Sequence, residues 1–308
     1  MTLVPPSAEE LGNRLKAAGY IVDPETAMAT WLGLRLERPL LVEGPAGVGK
    51  TELARAVATA TGRSFIRLSC YEGLDESKAL YDWDYSKQML TTQLLRDRLL
   101  LATEGTATLA EAMDKISEAG ASFFDRRFLL ARPLLRALES ETPCVLLIDE
   151  VDRADPEFEA FLLELLADFT ITIPELGPVT AKVRPFVLLT TNGTREMTEA
   201  LRRRCLHAFL DYPSPERELA VLRSRLPGID ARLAESVVAF TKRLRERTLR
   251  KPPSLGETIE WARALLVLGR NQLDEETVTD TLSVLVKYET DREQARALAA
   301  SLEGDRAP

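Results

Sequence analysis

The run Gly44-Pro45-Ala46-Gly47-Val48-Gly49-Lys50-Thr51 has the residue types and spacing of a phosphate-binding loop. Its glycines let the backbone turn so that N–H groups face phosphate oxygens, and the helix that follows adds the positive end of its dipole. In that pattern Lys50 reaches the β- and γ-phosphates and the Thr51 hydroxyl binds Mg2+. Further along, Val145-Leu146-Leu147-Ile148 runs into Asp149-Glu150. A buried strand that stops at two carboxylates places both at a sheet's carboxyl edge, where open α/β sheets bind ligands. Asp149 suits the Mg2+ shell. Glu150, one residue beyond, can orient or activate a water aimed at a γ-phosphate. The segment FVLLTT ends at Asn192, an amide that could hold that water or touch the phosphate, although Asn192-Gly193 is equally a turn signal. Three adjacent guanidiniums, Arg202, Arg203 and Arg204, call for anionic partners. One reading is an arginine on a subunit rim that reaches a neighbour's γ-phosphate. The other is a surface helix end whose basic residues complement the helix dipole.

These residues need elements to position them. Residues 39–43 form a short apolar run stopping at Gly44, as a buried parallel strand does. Residues 51–61 read as a helix with Leu53, Val57 and Ala60 on one stripe, and 64–69 as a second strand. Helices are expected over 8–18 and over 24–36, the latter with Pro24 as first helical residue after Asp23. An amphipathic helix is expected over 128–140, a strand over 144–148, and a helix from Pro156 to about Asp168 capped by Asp155. FTITIPEL and PVTAKV suggest a hairpin around Gly177, spanning about 170–184, followed by a strand over 186–191. Alternating strands and helices predict an α/β fold with a mainly parallel sheet. After Pro213 the pattern turns helical, with Ser214 as a cap, and Val237, Phe240 and Leu244 sharing a face. The expected division is an α/β nucleotide-binding domain over 1–212 and a helical domain over 213–308. Residues 88–120 read as a helical insertion between sheet elements.

Composition narrows the chemistry. The chain has 308 residues, is 45% hydrophobic and only 6% aromatic, so its core must be mostly aliphatic. A single histidine, His207, excludes multi-histidine metal or catalytic sites and reads as structural. Cys70, Cys144 and Cys205 have no CxxC spacing, which argues against a disulfide framework or zinc site and for a reducing compartment. No basic and apolar leader opens the chain, and no apolar run approaches the ~20 residues of a span, so a cytoplasmic protein without a membrane span is expected. Forty basic against 48 acidic residues give a net charge of −8, which argues against nucleic acid over the whole surface but not against a local basic patch. Thr241–Lys251 is such a basic run, either a docking face for an acidic partner or nucleic acid or a solvated helix face. No aromatic residues interleave there to stack bases. Tyr81, Trp83 and Tyr85 alternate, as a partner contact or as core packing would. Phosphoryl transfer to water remains open to such a chain, since it needs only backbone amides, a lysine, carboxylates, Mg2+ and an arginine.

GPAGVGKT, VLLIDE, TTN and LRRRC, in this order, resemble the motifs of an AAA+ ATPase over roughly residues 25–300. The resemblance implies a P-loop core with a C-terminal all-α lid. It makes Gly44, Pro45, Ala46, Gly47, Val48, Gly49, Lys50 and Thr51 the Walker A loop, Asp149 and Glu150 the Walker B pair, and Asn192 sensor 1. Arg204 matches the arginine finger, with Arg202 as second candidate. Within these ATPases the chain is most similar to the MoxR branch, especially its CoxD-like members. The hairpin at 170–184, DEVDRADPEFEAFLLELL, YDWDY at 81–85 and ALRRRCLHAFLDYPSP at 200–215 carry that likeness. It implies a hexameric ring that hydrolyses Mg2+–ATP to remodel or mature a client enzyme, often a metalloenzyme, with a von Willebrand A-domain partner. One departure stands out. Related lids carry an arginine at the third place of the segment that here reads Ser254-Leu255-Gly256-Glu257, and Arg263 follows about two turns later. The rival reading is a DNA-directed AAA+ motor or helicase loader, because helicase-like relatives also carry a hairpin before sensor 1. A nucleotide-gated binding module that hydrolyses little is a third, opposed by the intact acidic pair.

Overall fold

A computed structural model of the chain describes residues 4–94, 108, 111, 125–174 and 176–302. Its centre is a parallel sheet of five strands in the order β2 (Ser64–Ser69), β5 (Cys144–Asp149), β8 (Phe186–Thr191), β1 (Leu40–Glu43) and β9 (Leu206–Phe209). Glu43 pairs with Thr191, Ser69 with Asp149 and Ile148 with Leu189, so the strands end together and their carboxyl ends make one edge. The phosphate loop, the acidic pair and Asn192 all follow strands at that edge.

Both faces of the sheet are covered, which is why β5 is apolar from Cys144 to Ile148 and β8 from Phe186 to Leu189. Successive side chains point to opposite faces. Val145, Leu147, Phe186 and Leu188 join Leu11 and Leu15 of α1 (Ala8–Ala17), Leu34 of α2 (Pro24–Leu36), and Leu53 and Val57 of α3 (Lys50–Thr61). Leu146, Ile148, Val187 and Leu189 join the opposite cluster with Leu134 and Leu138, and with Phe158 and Leu162 of the helix Pro156–Asp168. Burying each such side chain contributes about 1.5–3 kcal/mol before the entropy of ordering is counted.

Two expectations need correction. The stretch 128–140 is not one helix. Leu129–Ala131 is a strand (β4) antiparallel to Tyr81–Trp83 (β3), and only Pro133–Leu138 is helical. Pro133 lacks an N–H and favours an extended residue before it, so the helix can begin there but not run through it. Asp155 stands at the N-cap of the helix behind it, with Pro156 at the first helical position, but it caps through its backbone carbonyl and not its side chain. Its carboxylate instead accepts from the Gly73 N–H at 3.2 Å.

Tyr81 and Trp83 pack edge to face, with Trp83 in the core, whereas Tyr85 opens the helix Tyr85–Leu94 and is exposed. Residues 88–94 of the expected insertion belong to that helix, and most of 95–120 lies outside the described residues. The hairpin is present as β6 (Thr170–Ile173) against β7 (Gly177–Thr180). Beyond Pro213 the chain is helical, at Pro215–Arg225, Ala231–Arg245, Leu255–Val267, Glu275–Leu285 and Glu289–Ala299. Ser214, Asp230, Ser254 and Asp274 each cap a helix start through a side-chain oxygen. These helices share a core of their own that includes Val237, Phe240, Leu244, Trp261, Val278 and Leu282.

Candidate functional site

The sheet order decides which side chains meet. β8 lies between β1 and β5, so Asn192 stands between the phosphate loop and the acidic pair. Its amide bridges them, Oδ1 accepting from Lys50 Nζ at 2.8 Å and Nδ2 donating to Glu150 Oε1 at 3.3 Å. Lys50 Nζ also donates to the carbonyls of Gly44 and Pro45 at 2.6 and 2.7 Å. Burial lowers the Lys50 pKa, against the pull of the Asp152, Asp149 and Glu150 carboxylates. The Thr51 hydroxyl lies 3.1 Å from both Asp149 oxygens. Lys50, Thr51, Asp149, Glu150, Thr190 and Asn192 line a cavity of 250 Å3 together with the loop residues Ala46, Gly47 and Gly49.

The two carboxylates are held differently. Asp149 is buried, and Thr190 Oγ1 donates to its Oδ1 at 2.6 Å. The Glu150 N–H donates back to the same Thr190 hydroxyl at 2.9 Å. Glu150 has φ 56° and ψ 49°, a left-handed conformation that a glutamate adopts only at a cost of order 1–3 kcal/mol. That turn lifts its side chain off the strand direction toward Asn192 and toward Arg153, whose Nη1 is 2.8 Å from Oε2. Asp152 braces the far side. One of its oxygens accepts from the Asn192 N–H, the Thr194 N–H and the Thr194 hydroxyl at 3.2, 3.0 and 2.6 Å. Burial alone would raise the Asp152 pKa, but these hydrogen bonds outweigh it and the net shift is downward.

A second cavity, of 330 Å3, adjoins the first across Gly47, Gly49 and Glu52. Tyr20 and Ile21 line it from before α2, and Arg217, Leu255, Gly256, Ile259 and Arg263 line it from the C-terminal helices. The segment whose missing arginine the sequence exposes therefore lies directly on the phosphate loop. The Gly256 N–H points to the Gly47 carbonyl at 3.4 Å, and a Cβ added at Gly47 would lie 2.5 Å from Ser254 Oγ. Gly47 thus permits a close approach besides its positive φ of 77°. Arg217 fastens the same helices to the core through the Ile21 carbonyl and Asp23, each at 3.0 Å. Arg263, two turns into its helix, lines the cavity after all.

The arginine cluster is not brought to either cavity. Arg202 pairs with Glu43 at 3.2 Å, Arg203 with Glu199, and Arg204 donates to the Leu163 carbonyl, so the three diverge as expected of adjacent like charges. His207 Nε2 sits 3.0 Å from the Arg202 carbonyl. Much of the basic run 241–251 is absorbed into structure. Arg245 is half-buried and pairs with Glu218, Lys251 pairs with Glu257, and Arg250 lies over the Tyr288 ring. The three cysteines are buried and free. Among the described residues no helix is long and apolar enough to cross a membrane.

Residues 40–211, more than half the chain, match the family described as "ATPase family associated with various cellular activities (AAA)". The chain belongs to the AAA ATPase family. Similar proteins include an uncharacterized protein of Staphylococcus aureus, 27% identical over 240 residues, a match covering 76% of this AAA ATPase and 77% of that protein. Another, from Staphylococcus epidermidis, is 26% identical over 278 residues and also uncharacterized, with 86% and 90% covered. A mutant of Thermotoga maritima RuvB is similar in structure at a TM-score of 0.48 and 20% identity, covering 96% of this chain and 81% of that one.

Sequence reasoning did not single out Arg67, Asp152 or Thr190. Thr190 and Asp152 stand within two residues of the motif residues Asn192 and Glu150, a signal of position that was present. Arg67 lies on a strand at a position that reads as solvated, and nothing local marks it.

Proposed function

We propose that this AAA ATPase hydrolyses Mg2+–ATP and uses the cycle to remodel or mature a partner protein, in the manner of the MoxR branch and its CoxD-like members. The observation that carries the hydrolytic part is the convergence of Lys50, Thr51, Asp149, Glu150 and Asn192 on one cavity at the end of the parallel sheet. The backbone N–H groups from Gly44 to Thr51 and the start of α3 bind the phosphates. Lys50 exchanges its Gly44 and Pro45 carbonyls for phosphate oxygens. The Thr51 hydroxyl and the Asp149 carboxylate form an all-oxygen donor pair that suits Mg2+, which characteristically takes one or two protein oxygens alongside phosphate and water. Held by Thr51 and Asp149, Mg2+ would supply neutralisation of the charge on the phosphate oxygens. Glu150 accepts a hydrogen bond from the attacking water and takes its proton as the γ-phosphorus–oxygen bond to ADP breaks. Asn192 fixes the orientation of Glu150. The nucleoside occupies the cavity bounded by Tyr20, Ile21 and the C-terminal helices, so those helices form the lid and move against the core with each turnover.

Arg204 is exposed and lines neither of the two cavities at the phosphate loop, in keeping with a finger offered to a neighbour in a hexameric ring. Arg202, tied to Glu43, is less free to serve. The client and a von Willebrand A-domain partner rest on the MoxR resemblance. A protein client is favoured over DNA by the net charge and by the pairing of Arg245, Arg250 and Lys251 within the helical segment. The test is turnover of ATP with and without duplex and single-stranded DNA at rising salt. The proposal expects turnover that DNA leaves unchanged. Salt-sensitive stimulation by DNA would establish the motor reading instead.

A further inference from the structure

Arg67 of β2 reaches across to the end of β5, where its Nη2 lies 2.6 Å from Asp149 Oδ2. The partners differ in environment, the Asp149 side chain being 4% exposed and that of Arg67 43%. The other side-chain contacts of Asp149 are hydroxyls, those of Thr51 and Thr190. Lys50 does not pair with it, since its three hydrogen bonds go to Gly44, Pro45 and Asn192. Among the described residues the Arg67 guanidinium is therefore the cation in direct contact with Asp149. A buried carboxylate left without a counter-charge is strongly destabilising, so a cation there has a physical reason. A divalent ion on Thr51 and Asp149 would supply the same compensation with twice the charge and would repel the guanidinium. Half-exposed as it is, Arg67 can leave into water at small cost.

We infer that Arg67 is an exchangeable counter-cation that holds Asp149 in the metal-free site and competes with Mg2+ for it. The inference rests on the Mg2+–ATP reading above. It makes Arg67 a positioning residue that sets how much Mg2+ the site needs before nucleotide binds tightly. Loss of one charge-assisted hydrogen bond changes such an equilibrium by about tenfold.

The experiment titrates Mg2+ from an EDTA-buffered start while a fluorescent ADP analogue reports binding to wild type, Arg67→Gln and Arg67→Lys. For Arg67→Gln the half-saturating Mg2+ concentration should fall about tenfold, and for Arg67→Lys it should fall less. Melting in EDTA should show Arg67→Gln less stable than wild type, with the gap narrowing at saturating Mg2+ and ADP. An unchanged or higher Mg2+ midpoint in Arg67→Gln overturns the inference. So does a loss of nucleotide affinity that persists in EDTA, which would place the guanidinium on phosphate. If Arg67→Gln fails to fold, Arg67→Lys decides by the same criterion. If wild type binds the analogue without any response to Mg2+, the Mg2+–ATP reading fails and the inference with it, a result distinct from either outcome above.

Discussion

Arg245 offers the sharpest test of how the C-terminal helices are held over the phosphate loop. It stands in the last turn of the helix Ala231–Arg245 and pairs bidentately with Glu218, at 2.7 and 2.8 Å. Its Nε donates to the Pro253 carbonyl at 2.7 Å, one residue before Ser254 meets Gly47, and its Nη2 donates to Thr258 Oγ1 at 3.1 Å. The guanidinium also lies 4.8 Å from the centre of the Tyr212 ring, just before the first C-terminal helix. The two side chains are 10% and 1% exposed, so the Glu218 carboxylate is buried and the guanidinium is largely shielded from water. Arg245→Met leaves the Glu218 carboxylate without a counter-charge, and such changes cost about 3–5 kcal/mol. The double variant Arg245→Met with Glu218→Leu removes both charges and should recover most of that loss, since an apolar replacement of a whole pair is often near neutral. Urea unfolding followed by Trp261 fluorescence reads the effect locally once Trp31 and Trp83 are replaced by Phe, because Trp261 is fully buried among these helices. A single variant that loses less than about 1 kcal/mol, or a double variant that loses the sum of the two singles, would refute the assignment of Arg245 as a clasp.

Other expectations follow from the same geometry. Gly47→Ala should weaken nucleotide binding at least tenfold with the fold retained, because the new methyl meets Ser254 and the backbone is left-handed there; calorimetric titration with ADP would show it, and unchanged affinity would contradict the contact. Asp152→Asn should cost about 1–2 kcal/mol at neutral pH by weakening the clamp on Asn192 and Thr194. Because the folded pKa of Asp152 is lowered, its contribution is fully present above the ordinary carboxylate range and is lost as pH falls from that range through the lower folded pKa, so the stability gap to wild type should begin to narrow below about pH 4 in melts. Burial pushes the thiols of Cys70 and Cys205 up to about 12, so a thiolate-specific reagent at about pH 9 should leave them unmodified until the protein is denatured.

What could be read from the chain was what depends on neighbours in sequence. The apolar run before Gly44, the glycines, and the helix that follows are one local unit, and the structure has it to within one residue at the start of the strand and of the helix. Caps at Ser214 and Asp23 were legible because a side-chain oxygen serves a backbone N–H three residues on. Strand order was not legible. Nothing near Asn192 states that β8 separates β1 from β5, yet that order makes its amide the bridge between Lys50 and Glu150. The 128–140 segment misled because helical periodicity ran across Pro133, whereas the pairing of Leu129–Ala131 with Tyr81–Trp83 is non-local. Arg245 misled for a related reason. A run of charges reads as a solvated face unless the buried Glu218, on another helix, is known to face it.

The most direct measurement of the central claim compares ATP binding and ATP turnover in wild type and Glu150→Gln. The substitution keeps a side chain that can still meet Asn192 and removes the carboxylate that takes the proton from water. The account predicts near-normal Mg2+–ATP affinity and turnover reduced at least a hundredfold, the lower end of what one acid–base group contributes. Normal turnover with the glutamine in place would contradict it.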